Sequence, residues 1–253
     1  MALSTYAGNA LLNAIARNTS FQASPYASLH SADPALTGAN ELSGNGYGTR
    51  PAVTFGAASA GATHNTATVS FPTASGDWTE ATHLGLWDAD TAGNFLWGGA
   101  LTNARTVLSG EGAELAVGAL DASISTAFSA ATRTAMLDAL LGNTALAYAA
   151  LWISLHSADP GTDGSNELSG GGYGRWQATF GDAAADKAIS NTAVADSPLA
   201  SGDWTAATHL GLWTLETGGT FVWGKQLTAP RTVRTGKLFR VAIGGITLSI
   251  DPA

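Results

Sequence analysis

The stretch Ser75–Trp87, SGDWTEATHLGLW, returns at Ser201–Trp213 as SGDWTAATHLGLW. Its second part decides the fold. Thr82–Trp87 reads as a β-strand in which Leu84 and Leu86 point to one face and His83, Gly85 and Trp87 to the other. Thr208–Trp213 repeats the pattern, with Leu210 and Leu212 set against His209, Gly211 and Trp213. The leucine face belongs to a core. A glycine between His and Trp leaves room above the strand for a folded-over Trp ring, a facing loop or a ligand, and packing is the simplest of these.

The repetition extends in both directions. LHSADP opens at Leu29 and again at Leu155, and His30/His156, Trp78/Trp204 and Trp97/Trp223 are each 126 positions apart. Such a period is too long for a solenoid unit and suits a whole domain. The expected domains are 1–126 and 127–253. Within each, short apolar runs alternate with turn residues. In the first copy strands are expected at Tyr26–Ser31, Tyr47–Phe55, Ala67–Phe71, Thr82–Trp87, Phe95–Leu101, Thr106-Val107, Glu114–Val117 and Leu120–Ile124. The second copy offers Ala149–His156, Tyr173–Phe180, Ala193–Leu199, Thr208–Trp213, Phe221–Leu227, Thr232-Val233, Leu238–Ile243 and Ile246–Ile250. This pattern predicts a mainly β protein of two tandem β-sandwiches, jelly-roll-like, each preceded by a short α-helix. The helices are read at Asn9–Ile15 and Ala135–Leu141, the second capped by Ser129 or Thr132 and stopped at Gly142. Helices this short are unstable alone and must dock on the sheet. Residues 126–130 contain no Gly/Ser linker, so a fixed relation between the halves is expected.

Composition narrows the function. The net charge of −8 disfavours nucleic acid and anionic membrane, both of which call for clustered Lys and Arg. Cysteine is absent, which removes disulfides, thiolate metal sites and Cys nucleophiles. The N-terminal stretch lacks the basic and apolar regions of a signal peptide, and no apolar run is long enough to span a bilayer. Only 12% of residues are charged, about half the usual share, with Ser, Thr, Asn and 31 Gly supplying the polarity. Such surfaces are cheap to cover with neighbouring subunits.

Candidate chemistry is sparse. His30 and His156, with Asp33, Glu41, Asp159 and Glu167 in the following loops, have no metal-ligand spacing, and each His is expected to bond a backbone carbonyl or loop carboxylate and order the HSADP turn. Asp33 and Asp159, each before a proline, are turn starters. The carboxylates Asp77 and Glu80 become Asp203 and Ala206 in the second copy, against a glycosidase pair. Neither a G-x-S-x-G elbow nor a phosphate loop occurs, so no catalytic residue, metal or cofactor is assigned. Of eight Trp, the repeated Trp78, Trp87, Trp204 and Trp213 are candidates for packing or for stacking on a glycan.

The copies differ most in charge. Glu111 and Glu114 of the first correspond to Lys237 and Arg240 of the second, and Leu108 to Arg234. Residues 1–126 carry net −6 and residues 127–253 net −2. Glu111, Glu114, Arg234, Lys237 and Arg240 are therefore the candidate interface, with complementary charge setting register.

Taken together, LHSADP, ELSGxGYG, GDWT, THLGLW, the G.F.WG strand and RTV resemble a repeated domain of tailed-bacteriophage tail fibre and virion structural proteins, over roughly residues 5–125 and 130–251. Members of that family typically carry one such domain per chain, and two in tandem depart from that pattern. The first copy also reads Gly48-Thr49-Arg50 where the second has Gly174-Arg175. The resemblance implies a non-enzymatic β-sandwich component of the virion, in the tail or tail fibre, with other phage virion proteins as partners. Capsid decoration and host-glycan adhesion are the alternatives. Two similar modules per chain suit a symmetric homo-oligomer, with a trimer presenting six.

Overall fold

A computed structural model of the 253-residue chain describes residues 2–124, 127–181 and 184–250. The first half runs β1 (Ala2–Leu3), α1 (Thr5–Ala16), β2 (Tyr26–His30), β3 (Ala62–His64), β4 (Val69–Ser70), β5 (Ala81–Trp87), β6 (Phe95–Arg105), β7 (Glu114–Leu115) and β8 (Asp121–Ser123). The second runs α2 (Ala130–Leu141), β9 (Leu151–His156), β10 (Trp176–Ala178), β11 (Ala188–Ser190), β12 (Ala195–Asp196), β13 (Ala207–Trp213), β14 (Phe221–Arg231), β15 (Arg240–Val241) and β16 (Thr247–Ser249).

The THLGLW strands lie inside the main sheets, as their alternation requires. β5 is flanked by β2 and β6 in an antiparallel sheet of order β1-β6-β5-β2, and β13 by β9 and β14 in the order β10-β9-β13-β14. Leu84 pairs with Leu29 and Leu86 with Ala27; Leu210 pairs with Leu155 and Leu212 with Ile153. All eight are buried. Two-stranded ladders, β3–β8 and β4–β7 in one half and β11–β16 and β12–β15 in the other, complete the β structure. The chain is thus mainly β, in two tandem regions that each carry one helix, as the repeat predicts. Among the described residues, each of these sheets and ladders pairs strands of its own half.

Several expected strands are shorter or absent. In Tyr47–Phe55 only Ala52 and Phe55 pair, as single bridges to Tyr26 and Asn65, whereas the second copy builds β10 from the corresponding segment. Gly44, Gly46 and Gly48, all at positive φ, hold the segment before it as turns. Thr106-Val107 and Thr232-Val233 form no strand, although Val107 and Val233 carbonyls accept the Trp78 and Trp204 amides. β3 and β11 were not expected from the sequence. Each starts from a two-residue turn, Ala60-Gly61 or Asp186-Lys187, with positive φ at both positions.

Ser4 and Ser129 cap the helices, their hydroxyls accepting the amides of Ala7 and Thr132. Their own amides donate to Leu96 and Val222 on β6 and β14, fastening each helix to its own sheet. The opposite helix face, which the sequence reading assigned no partner, packs on the other half. α1 contacts β11, α2 contacts β3, and the helices contact each other. These contacts are reciprocal. Asn9 and Asn13 of α1 accept the amides of Lys187 and Ala184, while Thr134 and Asp138 of α2 accept those of Gly61 and Ala58. The last-turn carbonyls of Ala14 and Ala139 are satisfied by the amides of Tyr148 and Ala23. Phe21 and Leu146, at equivalent positions, exchange both main-chain hydrogen bonds at 3.0 and 2.9 Å. Each bond maps onto its counterpart when the copies are exchanged, which is the rule of an isologous two-fold interface. One hydrophobic core runs through both halves. None of the helices described is long and apolar enough to cross a membrane.

Candidate functional site

The recurring motifs converge on the sheet face opposite the leucines. Gly85 pairs with Gly98 across β5 and β6, and the two glycines leave a flat window. A Cβ on Gly85 would lie 2.5 Å from His30 Nε2 and 2.6 Å from Ser28 Oγ, and one on Gly98 would lie 2.7 Å from Pro34 Cγ. His30 and Pro34 of the LHSADP segment therefore occupy the space above the strand, and Phe95 closes it. Gly211 and Gly224 form the same window under His156 and Pro160.

The polar atoms here form a closed relay. Trp87 Nε1 donates to Ser28 Oγ at 2.9 Å, the Ser28 hydroxyl lies 2.7 Å from His30 Nε2, and His30 Nδ1 lies 2.7 Å from the Ala39 carbonyl. A carbonyl only accepts, so Nδ1 carries the proton and Nε2 accepts from Ser28. Burial pushes the His30 imidazole below the ordinary histidine value, in keeping with this neutral tautomer. Trp213, Ser154, His156 and the Ser165 carbonyl repeat the relay, and burial lowers His156 likewise. Asp33 and Asp159 cap the turns through the amides of Ala35 and Gly161.

Beside the relay lies an arginine that the sequence reading did not place. Arg50 is 9% exposed, grips Glu41 with two bonds of 2.9 and 2.7 Å, donates to the carbonyls of Ala89 and Ala92, and stacks 3.7 Å from the Trp87 ring. Arg175 does the same with Glu167, the carbonyls of Leu215 and Gly218, and Trp213. The Gly48-Thr49-Arg50 departure is absorbed before the arginine, and the guanidinium reaches the same place. Tyr47 accepts the Leu29 amide, and burial raises its phenol, as it does that of Tyr173. Glu41 and Glu167 are committed to the arginines, so neither is free to join a histidine at a metal. Among the described residues no group of three His, Asp or Glu gathers as a metal site.

Trp78 and Trp204 are 5% and 3% exposed, donate from Nε1 to the carbonyls of Asn45 and Gly171, and pack edge-on against Tyr47 and Tyr173. Trp87 and Trp213 lie under the arginines. A sugar stacks on an open ring face; buried Trp78 and Trp204 offer none, and on half-buried Trp87 and Trp213 a guanidinium already stacks on the ring.

The charged candidates sit on the outer ladders. Glu114 lies opposite Ser70 in β4–β7, and its carboxylate accepts the Ser70 hydroxyl. Arg240 lies opposite Asp196 in β12–β15 and binds it through two 2.7 Å bonds. Glu111 accepts the Leu108 amide, and Arg234 pairs with Asp203 at 2.7 Å. Lys237 is exposed at the turn before β15. Pairs this exposed add little stability. They do reduce the contrast. Arg234, Lys237 and Arg240 stand beside two carboxylates, against Asp77, Glu111 and Glu114 on the first half. Around the second patch, Leu199 (64%) and Leu238 are exposed where the first half has Thr73 and Gly112.

A comparison with curated proteins finds no match. The family model described as podophage GP4 fiber I protein gp80 matches twice, at residues 2–123 and 127–249, so that nearly the whole chain is covered and the two matches meet where the sequence repeat divides. The chain belongs to the podophage GP4 fiber I protein gp80 family, as two tandem copies of its domain.

Proposed function

We propose that this chain is a non-enzymatic structural component of a phage fibre, located in the virion and acting through its outer surfaces. The family match over both halves carries this reading. The arrangement of the polar residues supports it. Histidine, arginine, glutamate and tyrosine, the side chains that ordinarily supply catalysis, are spent in both copies on fixing the LHSADP loop to the sheet. Each half, 1–126 and 127–253, is one duplicated module, and the pair is the unit that assembles. Gold-labelled antibody against the chain on intact particles tests the role. Label on the fibres supports it, label over the capsid favours head decoration, and particles without label refute a virion role.

Assembly uses the outer ladders. The acidic surface around Glu111 and Glu114 of one chain meets the Lys237 and Arg240 surface of the next, in a closed homo-oligomer with a trimer preferred. Leu199 and Leu238 add apolar area to the basic side. Native mass measurement of the wild type and of the Lys237→Glu, Arg240→Glu double variant tests the contact. An oligomer that the variant loses supports it. A monomeric wild type, or an oligomer indifferent to the reversal, refutes it.

A further inference from the structure

Two residues at the interface between the halves carry local costs that their counterparts avoid. Lys187 occupies the second turn position before β11 at φ 59, where the equivalent turn before β3 has Gly61 at φ +80. A lysine held in the left-handed region is strained, and glycine is not. Arg133 stands in α2 where α1 has Gly8, and its buried Nε has no hydrogen-bond partner among the described residues. Such an orphan donor costs stability.

Both costs make sense across the interface. A Cβ on Gly8 would sit 2.6 Å from Lys187 Cγ, so the lysine stem lies directly over the bare helix position. At the two-fold related corner, a Cβ on Gly61 would sit 3.0 Å from Arg133 Cβ. The first corner is small helix against large turn, and the second is large helix against small turn.

We propose that Gly8–Lys187 and Arg133–Gly61 form a matched lock that selects the unlike half as docking partner and rejects a like half. Two second halves, placed by the same two-fold, would drive Arg133 against Lys187, joining steric overlap to like-charge repulsion. Two first halves would set Gly8 opposite Gly61 and leave a gap. Specificity of this kind rests on a penalty for the wrong pair as well as on fit to the right one. It keeps each chain closed on itself when other copies are near. The inference does not depend on the fibre reading.

The intact chain contains its own test. Gly8→Arg reproduces the contact of two second halves at one corner, Lys187→Gly reproduces that of two first halves, and the double variant restores an unlike pair with the sizes reversed. Urea unfolding midpoints of the four proteins form a double-mutant cycle. The expected result is that arginine at position 8 lowers the midpoint in the native background and is tolerated with Lys187→Gly, so that the double variant recovers most of the loss. Midpoint shifts that simply add refute the lock. Should Gly8→Arg not fold, recovery of soluble chain by the second substitution supports the lock, and insolubility of both refutes it. The mirror cycle, Arg133→Gly with Gly61→Lys, is expected to show coupling of the same sign.

Discussion

The two halves repeat each other in the cluster around the HSADP loop and differ on the outer ladders. Around His30 and His156 the relay, the arginine fork and the stacked indole recur bond for bond. On the outer ladders, a Ser70–Glu114 pair becomes Asp196–Arg240, and Thr73 becomes Leu199. The buried cluster tolerates little change because its polar atoms are committed to one another, Ser28 bridging Trp87 to His30 and Arg50 bridging Glu41 to two carbonyls. The outer positions are free to diverge, and divergence there alters what the surface meets. Function in this molecule is therefore to be sought where the copies differ.

The largest expected effect tests whether the buried clusters are equivalent. Arg50→Ala leaves Glu41 and two carbonyls without their donor, and should destabilise the chain by about 3 kcal/mol, as removal of one partner of a buried pair does. Arg175→Ala should cost the same within error. Urea unfolding that finds one loss much larger than the other breaks the equivalence. Next come the reciprocal caps. Asn13→Ala strands the Ala184 amide and Asp138→Ala the Ala58 amide, each expected to cost about 1–2 kcal/mol.

The pH response is smaller. Burial lowers His30 and His156 in the folded chain, while an unfolded histidine titrates near 6.5. Below that value the unfolded chain binds protons that the folded chain refuses. Stability is therefore full above about pH 6.5 and falls as the pH drops towards the folded values. Unfolding midpoints between pH 7.5 and 5 measure the slope, and His30→Asn should reduce this contribution by about half. The smallest effect belongs to the surface. Lys237→Glu with Arg240→Glu should leave the unfolding midpoint almost unmoved while abolishing assembly, since exposed charges contribute little to stability.

Much of this was legible in the sequence because the main sheets obey a period of two. Leu84 and Leu86, and Leu210 and Leu212, identify their strands and their buried face without further help. The turn roles of Asp33 and Asp159 and the carbonyl bonds of His30 and His156 also followed from local chemistry. β3 and β11 did not, because their turns use Ala60-Gly61 and Asp186-Lys187 in place of the Asn-Gly signal that marks a two-residue hairpin. Arg50 was obscured by a one-residue shift of register against Arg175. The reciprocal interface left the faintest trace. Asn9, Asn13, Thr134 and Asp138 are ordinary polar helix residues until the other half brings main-chain amides to them, and no periodicity announces a partner so distant in the chain. Helices too short to stand alone had called for a docking site; the structure gives them two.

The account rests on the two halves forming one reciprocal unit, and amide hydrogen exchange tests that most directly. The amides to follow are those of Ala58 and Ala184, Gly61 and Lys187, and Ala23 and Tyr148, which cross between the halves. Protection matched within each pair, and close to that of the core strands β5 and β13, is the expected result. Amides that exchange at the rate of an unprotected chain, while β5 and β13 stay protected, would mean that the halves are separate bodies and would contradict it.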